Sequence, residues 1–285
     1  MFENIVGHEK NKKVLQKNIL DENINHAYLF QGKEGIGKQL IAKEFAKRIL
    51  ETNKLETCPD YRIINKEEGK KDIVVEQIRK DIVSNVLSRP ISSKKKVYII
   101  NDAHSMNTMA QNALLKTLEE PPEYVVIILI SNQKNAFLPT IKSRVKTIEF
   151  KSLAKSDIKE YMQQNNITGI SDAIVDYIDG SIAKINSLSK DDLTQYTNVI
   201  NLMDRISTKP IFDVILFTKE IDFKNLDSLN YLQYALFNGY KKTNKICYVN
   251  CVEIVEKAKR KLKSNGNYDI VIDNMVMNLY KKIRR

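Results

Sequence analysis

Three short apolar runs mark the first half of the chain: Ala27 to Gln31 (AYLFQ), Val97 to Ile100 (VYII) and Val125 to Ile130 (VVIILI). Runs of this length without polar alternation predict strands buried on both faces, as in a parallel sheet covered by helices. Between them the period changes. Gln39 to Leu50 places Leu40, Ile41, Phe45, Ala46, Ile49 and Leu50 at helical spacing, and the segment after Asn107 carries a stripe of Ala110, Ala113, Leu114 and Leu118. Asn107 is a natural N-cap for that helix and Pro121 ends it. Strand, helix and strand at these lengths imply a right-handed parallel crossover. The first half therefore reads as an α/β doubly wound domain.

After Phe150 the strand-like runs give way to mixed helical patterns, through Asp157 to Asn165, Ser171 to Ile178, Ala183 to Ser189 and Asp192 to Ile206, punctuated by Gly180 and Pro210. Boundaries are expected near 150 and 205: an α/β domain over 1–150, a small helical domain over 151–205 and an all-α domain over 206–285. No internal repeat or low-complexity segment interrupts the chain.

A length of 285 residues suits two or three domains, and 42% apolar with 28% charged residues describes an ordinary globular composition. No apolar run approaches a membrane span, and MFENIVGHEK lacks the pattern of a signal peptide, so a cytoplasmic protein with no membrane partner is expected. Three cysteines, Cys58, Cys247 and Cys251, are too few and scattered for a disulfide framework and read as buried apolar thiols. The net charge of +11 would suit a polyanion, although many lysines alternate with Asp and Glu as on a solvated helix face.

The chemistry sits after the first strand. Gly32-Lys-Glu-Gly35-Ile-Gly37-Lys38 satisfies the phosphate-binding pattern G-x-x-x-x-G-K, with a strand before it and a helix after it. Such glycines let backbone amides surround phosphate oxygens, the Lys adds a point charge, and the helix adds its positive end. The next position should be Ser or Thr to hold magnesium, and it is Gln39, whose longer amide arm suits an octahedral ion poorly. The second acidic motif is altered too. The strand KVYII runs into Asn101-Asp102-Ala103-His104, with a neutral Asn at the metal-carboxylate position and an Asp where a water-aligning Glu is needed. The open alternative is a one-residue slip in register that lets Asp102 hold the metal. His104 reads as a cap or surface residue.

The stretches NINHAYLFQGKEGIGK, KVYIINDAH, AQNALLKTLEEPPE and FLPTIKSR resemble the delta-prime and gamma/tau subunits of the bacterial DNA polymerase III clamp loader, which are similar to eukaryotic replication factor C. The resemblance covers roughly residues 1–205, with a further likeness in EKAKRKLKSNGNYDIVIDNMVMNL. It implies an AAA+ P-loop domain, a helical lid and a C-terminal helical collar. Eroded nucleotide motifs are a delta-prime feature in this family. The family's Ser-Arg-Cys motif matches Ser143-Arg144-Val145, which implies that Arg144 reaches the ATP of a neighbouring subunit as an arginine finger. Ser131 or Asn132 matches a polar sensor, Lys184 in GSIAK a basic second sensor, and Ile5, Val6 and Gly7 an adenine pocket. Family members often carry a four-cysteine zinc module, of which ETNKLETCPDYRII keeps only Cys58, so no zinc is expected.

What the resemblance implies is a subunit that helps place the sliding clamp on primed DNA, with gamma/tau and delta subunits, the clamp and DNA phosphates as partners. ATP or ADP would be bound without efficient hydrolysis, and no cofactor would be required. The alternative is a working gamma-like ATPase motor. Arg79, Lys80 and Lys94 to Lys96 lie in the domain that would face DNA.

Overall fold

A computed structural model describes residues 2–284. Its elements in chain order are α1 (Glu9–Leu20), β1 (Ala27–Gln31), α2 (Lys38–Ile49), β2 (Tyr61–Ile64), α3 (Val75–Ile78), a π turn (Arg79–Val83), α4 (Ser84–Val86), β3 (Lys96–Ile100), a 3-10 turn (Ala103–Ser105), α5 (Thr108–Glu119), β4 (Val125–Ser131), α6 (Pro139–Lys142) and β5 (Lys146–Glu149). Helices follow: α7 (Lys155–Gln164), α8 (Asp172–Ile178), α9 (Ile182–Ser187), α10 (Lys190–Thr208), α11 (Ile211–Thr218), α12 (Leu226–Thr243), α13 (Cys247–Lys263) and α14 (Tyr268–Ile283). The chain divides into two compact units, residues 2–167 with 178–186, and residues 168–177 with 187–284.

The first unit is a five-stranded parallel sheet in the order β2-β3-β4-β1-β5. The three apolar runs are its central strands, buried along their whole length. Because side chains alternate across a strand, each run feeds two cores. Tyr28, Phe30, Val97, Ile99, Val126 and Ile128 pack with Leu15 of α1 and Ile41 and Phe45 of α2. Leu29, Tyr98, Ile100, Ile127 and Leu129 face the other way onto Ala110, Leu114 and Leu118 of α5. Asn107 caps α5, its side chain accepting from the Ala110 amide at 2.8 Å. The two edge strands, YRII and KTIE, carry polar residues: β2 exposes Arg62, and β5 exposes Lys146, Thr147 and Glu149 and buries Ile148.

The loop before β3 is held by one side chain. Asp60, 3% exposed, accepts from the amides of Ile91 (2.7 Å), Ser92 (2.7 Å) and Ser93 (2.8 Å) and from the Ser92 hydroxyl (3.0 Å). Burial raises its pKa, but these donors outweigh that and leave the carboxyl below its ordinary value. Nearby, Lys96 is buried and donates to the Asn85 carbonyl (3.0 Å) and the Ser88 hydroxyl (2.6 Å), so it is not a surface cation; Arg79 and Lys80 are exposed on the π turn.

The second unit is helical. Val199, Leu202 and Ile206 of α10, Leu229, Leu232 and Leu236 of α12, Val255 of α13 and Val276 and Leu279 of α14 form its core. Tyr177, Tyr196 and Tyr231 meet in it with ring centroids 4.6 to 5.7 Å apart, a spacing at which edge-to-face rings attract. Of the cysteines, Cys251 is fully buried, its thiol pushed up to about 12 by desolvation, while Cys58 and Cys247 are half-buried. No helix among the described residues is long and apolar enough to cross a membrane.

Candidate nucleotide site

The glycine loop joins β1 to α2 at the carboxyl end of the sheet. Gly35 and Gly37 take positive φ, +75° and +96°, which only glycine adopts without strain. Gly37 is the N-cap of α2, and the space where its Cβ would sit is open, leaving its backbone accessible. Gly35 is closed instead: a Cβ there would lie 2.1 Å from the Ser181 hydroxyl, and its carbonyl accepts from the Ala183 amide at 3.1 Å.

A cleft of about 310 Å³ opens over this loop, at the low end of the roughly 300 to 1,000 Å³ span of small-molecule sites. Gly35, Gly37, Lys38, Gln39, Asn101, Asp102 and Asn132 all line it, together with Ile182, Ala183 and Asn186. Segments 35–39, 101–102, 132 and 182–186, far apart in sequence, thus meet where the motifs place a nucleotide. Gly32 lies beneath, its amide bonded to the Ser131 carbonyl and its own carbonyl accepting from Lys38. Ser131 is buried and bonded to Gln133, which leaves Asn132 as the polar group at the end of β4 in the cleft. Lys184 is exposed and is not among the lining residues. Ile5, Val6 and Gly7 line a separate hollow with Lys12 and Glu160.

Lys38 is turned inward. It is 6% exposed, and its ammonium donates to the carbonyls of Gly32 (2.8 Å) and Lys33. Burial lowers its pKa, partly opposed by the charges of Asp102 and Glu34. Lys33 pairs with Asp179. His8 adds a further tie, its Nε2 2.7 Å from the Ile36 carbonyl and its ring edge-on to Phe150 at 5.0 Å. Desolvation lowers the His8 pKa, opposed by the bond in which the ring donates to the Ile36 carbonyl.

Magnesium in a site of this kind needs a hydroxyl after the loop Lys and a carboxylate at the neighbouring strand end. The two positions hold carboxamides, Gln39 and Asn101. Magnesium keeps strict geometry and favours charged oxygen, so this donor pair does not fit it. Asp102 lies one residue further on, in a left-handed conformation (φ 47°) that opens the 3-10 turn.

Arg144 lies beyond α6 and does not line the cleft. Its Nη1 donates to the Thr140 carbonyl (3.0 Å) and the Ser143 hydroxyl (3.2 Å), and its Nη2 faces Glu119 at 3.0 Å. Val145 packs at the edge of the core. One polar residue escaped the motifs: Gln111 of α5, 5% exposed, donates to the carbonyls of Met106 (3.1 Å) and Ala136 (2.9 Å) and accepts from the Leu138 amide (2.9 Å). It welds the turn after Asp102 to the segment entering α6. Its place on the buried stripe of α5, beside Ala110 and Leu114, is the signal that could have found it.

A family model described as DNA polymerase III, delta subunit, matches residues 7–154. The DNA polymerase III subunit tau of Bacillus subtilis is 36% identical over 174 residues, covering 55% of this chain and 30% of that protein. The delta' subunit of Pseudomonas aeruginosa is 39% identical over 135 residues, covering 42% of this chain and 41% of its own. The tau/gamma subunit of Haemophilus influenzae is 29% identical over 256 residues, 84% of this chain and 36% of that protein. The chain thus spans 30 to 41% of the length of these relatives. A gamma subunit-related protein of Thermotoga maritima superposes with a TM-score of 0.55 at 18% identity, covering 96% of this chain and 99% of that one, a likeness of fold.

Proposed function

This chain belongs to the DNA polymerase III delta-subunit family of AAA+ clamp-loader proteins, and on that premise we propose that it is a delta-prime-type subunit that does not itself turn over ATP. The observation that carries this reading is the donor set of the cleft. Gln39 and Asn101 stand where a hydroxyl and a carboxylate would hold magnesium, and Lys38 is spent on the loop's own carbonyls. The glycine loop remains shaped for phosphate, so ATP or ADP binds without efficient hydrolysis, and the chain needs neither zinc nor another cofactor.

Its contribution to phosphoryl transfer is Arg144, offered in trans to the nucleotide of an ATPase-competent gamma/tau-type neighbour, where a fixed cation stabilises the charge of the transferring group. The partners are the gamma/tau and delta subunits, with the sliding clamp and primer-template DNA in the assembly. The helical unit at the C-terminal end would serve as the collar. DNA is met through phosphates and without base readout.

A second reading, a gamma-like motor, draws support from Asp102, a carboxylate lining the cleft close enough to affect Lys38. One experiment separates them. ATP hydrolysis is measured for the lone chain, and then for the chain with an ATPase partner subunit, clamp and primed DNA, wild type against Arg144→Ala. An inactive lone chain with a depressed assembly in Arg144→Ala is the expected result. Turnover by the lone chain that Lys38→Ala abolishes would replace this reading with the motor.

A further inference from the structure

We propose that Glu119 is the positioning residue of the arginine finger: its carboxylate, at the last position of α5, sets the direction in which Arg144 presents its guanidinium to a neighbouring subunit. This rests on the reading of Arg144 as a trans finger.

A guanidinium carries five N–H donors in a flat fork. Both Nη1 hydrogens are engaged by Arg144's own turn, through the Thr140 carbonyl and the Ser143 hydroxyl. Those two contacts hold one corner of the plane and leave it free to swing. Glu119 Oε1, 3.0 Å from Nη2, is the contact from a different element, and it fixes the opposite corner. Nε has no hydrogen bond to a described residue, so that donor of the fork remains for an oxygen of a phosphate.

The placement of Glu119 argues in the same direction. A carboxylate on the last residue of a helix sits against the negative end of the dipole, where acids are disfavoured. The pair is 34% and 47% exposed, so water screens most of what it could add to folding. An acid at an unfavourable site, in an ion pair of little structural value, is explained by the orientation it gives its partner. Freezing the long side chain beforehand removes rotamer entropy that would otherwise be lost at the moment of reaction.

The test uses the chain assembled with gamma/tau-type ATPase subunits, a sliding clamp and primed DNA, reading kcat and KM for ATP. Glu119→Gln should lower kcat about threefold to tenfold, as loosening one tether on a transition-state contact implies, with KM within about twofold. Glu119→Asp should fall between Glu119→Gln and wild type. In an Arg144→Ala background Glu119→Gln should have no further effect, and melting of the lone variant chains should stay within about 2 °C of wild type, as for an exposed pair. Turnover at or above the wild-type rate in Glu119→Gln overturns the proposal, the latter outcome marking Glu119 as a brake. A further loss in the Arg144→Ala background, or a loss that follows melting temperature, also overturns it by placing the effect in the fold. If Arg144→Ala alone leaves turnover intact, the finger reading itself has failed, which the single variant reports independently of Glu119.

Discussion

Replacing Asp60 by Asn removes one carboxylate oxygen from a pocket of donors and puts an NH2 group in its place. The remaining oxygen can satisfy the Ser92 amide, the Ser92 hydroxyl and the Ser93 amide, which share Oδ2, only by turning the NH2 toward the Ile91 amide. One buried amide then faces a donor, and the other three bonds lose their charge assistance. A hydrogen bond to a charged group contributes roughly 1.5 to 3 kcal/mol and a buried orphan costs roughly 1 to 3 kcal/mol, so the variant should lose about 2 to 4 kcal/mol. At roughly 2 to 4 °C per kcal/mol for a domain of this size, melting should fall by about 4 to 16 °C. The pH dependence has a definite sign. The folded carboxyl has the lower pKa, so its stabilisation is complete above the ordinary carboxylate value near 4 and is lost as pH falls through the folded value. Thermal melts of wild type and Asp60→Asn from pH 8 to 3 should therefore run a constant distance apart down to about pH 5 and converge below about pH 4. A gap under about 1 °C at pH 7, or one that widens in acid, would refute the account.

Three further outcomes follow from the geometry. Gln39→Thr combined with Asn101→Asp restores a hydroxyl and a carboxylate to the cleft, and nucleotide titrations should then show magnesium strengthening binding by about tenfold or more, about 1.4 kcal/mol, where wild type shows little dependence. Gln111→Ala strands two carbonyls and an amide in the interior, and urea titration should register a loss of about 2 to 4 kcal/mol. Gly35→Ala forces a side chain into positive φ and against Ser181, costing about 1 to 3 kcal/mol by the same measurement.

The sheet was readable because its central strands are buried on both faces, and continuous apolar runs such as VVIILI leave few alternatives. The edge strands β2 and β5 were not, since each presents polar side chains to solvent and draws its pairing from a neighbour: KTIE is a strand because Tyr28 to Gln31 lies beside it. The cleft was legible to the extent that a local motif encodes it. The glycine spacing, the Asn101-Asp102 turn and Asn132 all arrive at one place. Asp60 and the His8 tie were invisible because each joins a polar side chain to backbone groups 28 or more residues away, and no periodicity records such a bond; the stripe of α5 could place Gln111 inside but not name its partners. Lys38 was read as a charge for phosphate, and its inward turn depends on carbonyls whose direction only the folded loop defines.

The glycine loop keeps its own company. Lys38 on Gly32 and Lys33, Ala183 on Gly35, Asp179 on Lys33 and His8 on Ile36 together hold its shape with protein groups alone. A ligand that binds the folded state multiplies the ratio of folded to unfolded protein by one plus its concentration over the dissociation constant. A loop that is self-supporting has little need of it. The folded population of this unit should therefore change little when nucleotide is withdrawn.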